Sequence, residues 1–320
     1  MAESLSDFVT RRRPDWTTLE ALLERLRARS LHLDELTRLD ALYRRAAADL
    51  AHAQAAFPNT DVHRFLNQLC GRAYGAIYRA PPVSVASLRR FFLTTFPAAV
   101  RETLGYTRVA IACMALGIVL GATTVALQPD GAQRLVPPEL LDFIERRELW
   151  TDQALTSHTP SEMATQIFLN NLRVTFAAFG AGVTGGVGTV LLVLYNGLFL
   201  GAVAAACFQH GLGAALLDFI TAHGPVELSV ICITGGAGLV LGHALIAPGE
   251  RRRGVHLRER ARLAVQLVLG CAPFLVAIGV VEGFVSPGTF FPWPAKALVG
   301  LASGVGFWRY LLVSGTSTAP

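Results

Sequence analysis

Leu19, Leu22, Leu23 and Leu26 recur at the spacing of one helix face while Glu20, Glu24, Arg25 and Arg27 fall on the other, which predicts an amphipathic helix over about 17–30. A second helix is predicted from Asp34, with Leu36, Leu39, Tyr43, Ala46 and Leu50 on its apolar stripe. After the break at Pro58 and Asn59, a third carries Phe65, Leu69, Ala73 and Ile77. These three outline a small helical domain over 1–82. It has few large apolar residues, so it is expected to pack on itself, on a second copy or on a membrane surface. Pro81 and Pro82 close it. Segment 83–106 then mixes Arg89, Arg90 and Arg101 with Phe91, Phe92 and Phe96, which suits a helix lying among lipid headgroups or a fourth helix of the domain.

From there the pattern changes from stripes to continuous apolar runs. Six spans can be drawn, at about 109–127, 173–195, 197–219, 226–247, 262–283 and 296–313, each near the length that crosses a bilayer. His210, Gly211 and Gly213 interrupt the third, where a broken or re-entrant helix fits equally well. The expected fold is therefore all-α: a polytopic helical bundle over 107–315 behind an N-terminal helical domain.

Composition agrees, with 52% apolar and 16% charged residues and a mean hydropathy of +0.44. Charge sets the orientation. Fifteen of the 28 basic residues precede Tyr106 and six more lie between Arg251 and Arg262. The positive-inside rule puts both groups in the cytoplasm, with both termini there and the loop 128–166 outside. That loop holds seven acids against three arginines, and its segment PPELLDFIERRELW predicts a short helix near the outer surface. A multi-pass membrane protein with a cytoplasmic N-terminal domain is therefore expected. The net charge of +5 raises nucleic acid as a partner, but no basic stripe with interleaved aromatics is present. Arg11, Arg12 and Arg13 lead into Pro14 and Asp15, not into an apolar run, so no signal peptide is expected. The five cysteines form neither a disulfide framework nor a CxxC pair and read as small core residues.

Glycines recur four apart at Gly117/Gly121, Gly182/Gly186, Gly197/Gly201, Gly238/Gly242 and Gly300/Gly304, so helix backbones can approach closely. A homo-oligomer is expected from these pairs and from the small core of the N-terminal helical domain.

Few strong polar groups remain within the spans. Asn170, Asn171, Arg173, Asp218, His223, Glu227 and Glu282 all fall toward the outer ends of their helices and can meet at one level. His223 and Glu227 share a helix face, and Arg173 is the expected counter-charge for Glu227 or Glu282. Three readings of Asn170, Asn171, Arg173, His223, Glu227 and Glu282 compete. They form a hydrogen-bonded polar layer that fixes helix register, a transport or lipid-headgroup site, or an intramembrane hydrolase centre with His223, Glu227 and Glu282 as metal ligands or acid and base. The first is favoured. HExxH, GxSxG and CxxC are all missing, so no cofactor, metal or catalytic residue is expected.

The motifs FLNNLRV at 168–174, YNGLFLG at 195–201, HGPVELS at 223–229, GLVLGHALIAPG at 238–249 and VEGFVSP at 281–287 occur in an order that resembles the stage II sporulation protein M family of bacterial membrane proteins. The resemblance covers about 104–313. It implies an integral membrane protein that acts as scaffold or anchor for partner proteins, envelope-remodelling ones among them. The expected function is that of a non-enzymatic scaffold, with a transporter or lipid-handling protein as the alternative and a hydrolase below it.

Overall fold

The computed structural model describes residues 4–27, 31–78, 84–149, 160–247, 253–286 and 291–316. Pro81, Pro82, residues 150–159 of the long loop, Arg251, Arg252 and Pro287 lie outside the described residues, as does the side chain of Asn170. The chain forms two compact units, Met1–Val83 and Ser84–Pro320. Every element among the described residues is helical.

The first unit contains α1 (Leu5–Arg27), α2 (Leu33–Ala56) and α3 (Asp61–Tyr78). Helix α1 starts a full three turns before the apolar stripe that predicts it and runs through Pro14. The reason lies in aromatic packing. Phe8 is buried against Trp16, His52 and Phe57, and that burial outweighs the backbone hydrogen bond that Pro14 removes. Asp49 is buried as well. Its carboxylate accepts a 2.9 Å hydrogen bond from Trp16 Nε1 and pairs with Arg12 at 3.1 Å. Leu19, Leu22, Leu23, Leu39, Leu66 and Leu69 complete a core of its own.

The second unit opens with α4 (Val85–Arg90), a π-helical turn (Phe91–Thr95) and α5 (Phe96–Glu102). Phe96 is fully buried in the bundle core against Phe274 and Tyr310, so this segment belongs to the second unit through packing. Then come α6 (Leu104–Leu127), α7 (Gly131–Leu135), α8 (Pro138–Glu145), α9 (Pro160–Gly180), α10 (Val187–Gln209), α11 (Gly213–Ile220), α12 (Gly224–Ile246), α13 (Arg253–Phe284) and α14 (Trp293–Val313). Helices α6, α10, α12, α13 and α14 are long and apolar enough to cross a membrane. The protein is an all-α polytopic membrane protein.

The apolar run near 173–219 divides differently from the two spans drawn through it. Helix α9 ends at Gly180, a 3-10 turn covers Ala181–Thr184, and Gly185 and Gly186 take φ of 72° and 89° before α10 starts. Only glycine holds that left-handed geometry without strain, so the chain reverses inside what reads as one apolar stretch. Thr184 Oγ1 accepts from Gly188 N at 2.8 Å to cap α10, and Thr189 Oγ1 donates to Ala178 O at 2.8 Å across the turn. The FQHGLG interruption is a real end: α10 stops at Gln209, Gly211 has φ of 81°, and the short α11 follows.

Helix α12 is central, packing on α6, α9, α10, α13 and α14. Between α6 and α10 the contact is backbone to backbone. A Cβ at Gly117 would strike Leu194 O, one at Gly121 Leu198 O, and one at Gly201 Ile118 O. Gly182 meets Gly238, and Gly242 meets Gly186, in the same way. These spaced glycines are therefore consumed inside one chain and no longer argue for an oligomer.

Candidate functional site

His223 is the N-cap residue of α12, and its carbonyl accepts the Val226 and Glu227 amides. Pro225 in the first turn has no amide hydrogen to satisfy, so it starts the helix at no cost. Glu227 lies one turn on, where the helix dipole favours a carboxylate. Glu282 comes from the last turn of α13, the neighbouring helix. The His223 Nε2 atom is 3.7 Å from Glu227 Oε2 and 3.8 Å from Glu282 Oε1. Those separations exceed a hydrogen bond, yet one ligand atom from each of the three side chains lies within 4.8 Å of the others.

The other imidazole nitrogen is anchored. His223 Nδ1 lies 2.7 Å from Ser286 Oγ, just past the end of α13, with both side chains buried. The Ser286 carbonyl in turn accepts a 2.8 Å hydrogen bond from Lys296 Nζ. Lys296, the only lysine in the chain, is 1% exposed on the first turn of α14 and also pairs with Asp218 of α11 at 2.5 Å. Asp218, Lys296, Ser286 and His223 thus form one hydrogen-bonded path that ends facing the two glutamates, at the meeting of four helix ends.

The expected members fare differently. Asn171, from the middle of α9, is buried and sits beside Glu227, although its Nδ2 has no hydrogen-bond partner. Asn170 precedes it on α9, with its side chain outside the described residues. Arg173 corrects an expectation: it is exposed and forms no ion pair with either glutamate. Asn171 and Thr175 turn inward on α9, and a residue two positions beyond Asn171 points about 200° away. The hydropathy pattern places Arg173 at the right depth on the wrong side.

Lys296 and Ser286 escape the sequence reading. Lys296 reads as a cation marking the start of a span, and Ser286 as loop. A signal existed in the fact that 27 of the 28 basic residues are arginine and the single lysine opens an apolar helix. A lysine in a span is costly unless paired.

The family model described as Stage II sporulation protein M matches residues 107–287, more than half of the chain. The chain belongs to that family. Asn171, Asp218, His223, Glu227, Glu282 and Ser286 lie within the stage II sporulation protein M match, whereas Lys296 lies beyond it. A second model, described as a domain of unknown function (DUF8413), matches residues 6–79. No match is found among curated proteins or among solved structures.

Proposed function

We propose that this member of the stage II sporulation protein M family is a non-enzymatic membrane component that anchors or organises partner proteins in or at the membrane. The observation that carries the reading is a groove on the separately cored first unit. It runs between α1 and α3 with a volume of about 980 Å3 and is lined by Leu26, Phe65, Gly71, Gly75 and Ala76 beside the Glu20–Arg72 ion pair. Gly71 and Gly75 stand one helical turn apart with nothing within 4 Å of where a Cβ would be. A bare helix backbone flanked by apolar side chains suits a helix from another protein. The tight α6–α10 contact supports the same reading, because it leaves no path for a solute between those helices.

In this reading both termini face the cytoplasm of a bacterial cell. Counting α9 as a crossing, four helices precede the basic start of α13, so the N-terminal arginines and that cluster share a side. Self-association belongs to the proposal as well, through the first unit and not through the spaced glycines.

A photo-crosslinking residue at position 75 of the full chain, in native membranes, tests it. One dominant protein adduct is expected, lost when Gly71 is changed to Trp. Failure to capture any partner, together with solute or lipid movement by the pure protein in liposomes, would overturn the anchor reading.

A further inference from the structure

We propose that His223 Nε2 and one carboxylate oxygen from each of Glu227 and Glu282 bind a divalent transition-metal ion inside the helical bundle. The inference stands apart from the anchor reading and concerns a different part of the chain.

Spacing is the first argument. At 3.7 and 3.8 Å, the imidazole nitrogen faces both carboxylates without hydrogen-bonding to either. Ligands held about 2.0–2.2 Å from a tetrahedral ion stand about 3.3–3.6 Å apart, so the imidazole needs a shift of only a few tenths of an ångström toward each carboxylate, and the two carboxylates, within 4.8 Å of each other, close by a side-chain adjustment of about an ångström. A shared ion fits this spacing, and a proton shared between the imidazole and either carboxylate does not.

Charge is the second. Two carboxylates converge at the end of an apolar bundle, and the cation that the sequence offered them, Arg173, faces away. Lys296 is occupied by Asp218 and the Ser286 carbonyl. Glu282 is 8% exposed, and its Oε2 has no hydrogen-bond partner. An unpartnered buried carboxylate oxygen is costly in such a place, and a cation removes that cost.

The outer partners give the third argument. A metal-bound imidazole donates its remaining N–H to a fixed acceptor, which selects the tautomer and aims the ring. With Nε2 on the ion, Nδ1–H donates to Ser286 Oγ, and Lys296 holds the Ser286 backbone in position. One nitrogen and two oxygens favour zinc, manganese, iron or cobalt over calcium or magnesium. Three protein ligands leave a position for water or another small ligand. The ion would tie the head of α12 to the end of α13.

The full chain, made without a histidine tag, stripped with chelator and reloaded with Zn2+ in nanodiscs, is to be assayed for metal after gel filtration. About one zinc per chain is expected, with a higher melting temperature than the stripped protein. His223→Ala and Glu282→Gln are expected to lose at least nine-tenths of it, and Arg173→Ala to keep it. Because His223→Ala can fail to fold, Co2+ loading of the unaltered protein gives a second readout: visible ligand-field bands that Zn2+ displaces. Well-folded Glu282→Gln that keeps its zinc, or an unaltered chain that holds an adventitious ion only, would overturn the site.

Discussion

His223 Nδ1 and Ser286 Oγ meet at 2.7 Å across 63 residues of sequence, and this buried contact joins the head of α12 to the chain leaving α13. Ser286→Ala removes the hydroxyl and leaves the imidazole nitrogen unpaired in an apolar setting. Thermal unfolding in detergent is expected to show a loss of about 1–3 kcal/mol. Ser286→Thr, which keeps the hydroxyl, should retain most of it.

Lys296 and Asp218 are unequal partners. The lysine side chain is 1% exposed and the aspartate 38%, so solvent can take over the aspartate but not the lysine. Asp218→Asn strands a buried cation and is expected to cost about 3 kcal/mol. Lys296→Met should cost less, because it leaves a solvated acid and one buried carbonyl behind, not an uncompensated buried charge. Equal losses in the two melting curves would contradict this asymmetry.

Much of this arrangement was legible in the sequence, and what escaped it has physical reasons. Leucine and aromatic spacing reveals the amphipathic helices of the first unit, and run length reveals α6, α12, α13 and α14, since both depend on nearest-turn neighbours. The reversal at Gly185 and Gly186 escapes because hydropathy is blind to φ: the residues on either side are equally apolar. The rotation of Arg173 escapes because depth in a membrane says nothing about direction around a helix. His223, Glu227 and Glu282 were legible as costly ionisable groups. Their supports, Ser286 and Lys296, depend on how α13 and α14 meet, which no local pattern encodes.

The α6–α10 seam offers a test by size. Adding a side chain at Gly121 forces its helix off the Leu198 carbonyl, so Gly121→Leu is expected to cost about 3 kcal/mol or more. Gly306 has nothing within 4 Å of a Cβ, and Gly306→Ala should leave the melting temperature unchanged or raise it slightly.

The first unit has a pH window. Burial, aided by the Asp49 carboxylate, raises the Cys70 thiol pKa above its ordinary 9.0. The unfolded chain therefore loses its proton first, and this contribution to stability is present below that value and lost as pH rises past it. Glu35 works in reverse. The His32 backbone amide, with Arg25, holds its carboxyl below the ordinary 4.5, so its contribution is present above that value and lost as pH falls. Iodoacetamide should modify Cys70 more slowly in the folded chain than in the denatured one at pH 9, read by peptide mass spectrometry.

Sidedness is open to direct labelling. In intact cells an impermeant thiol reagent should reach Asp142→Cys on α8 and spare Arg253→Cys at the start of α13. The reverse pattern would invert the topology.

Glu227 and Glu282 converge on His223, and Ser286 and Lys296, not Arg173, support that arrangement. A cryo-EM structure of the full chain in lipid nanodiscs, resolved well enough to place side chains, tests it most directly. The predicted result is His223 between the two carboxylates, Ser286 Oγ on its Nδ1, and the Arg173 guanidinium outside the cluster. A guanidinium of Arg173 bound to Glu227 or Glu282 would contradict it.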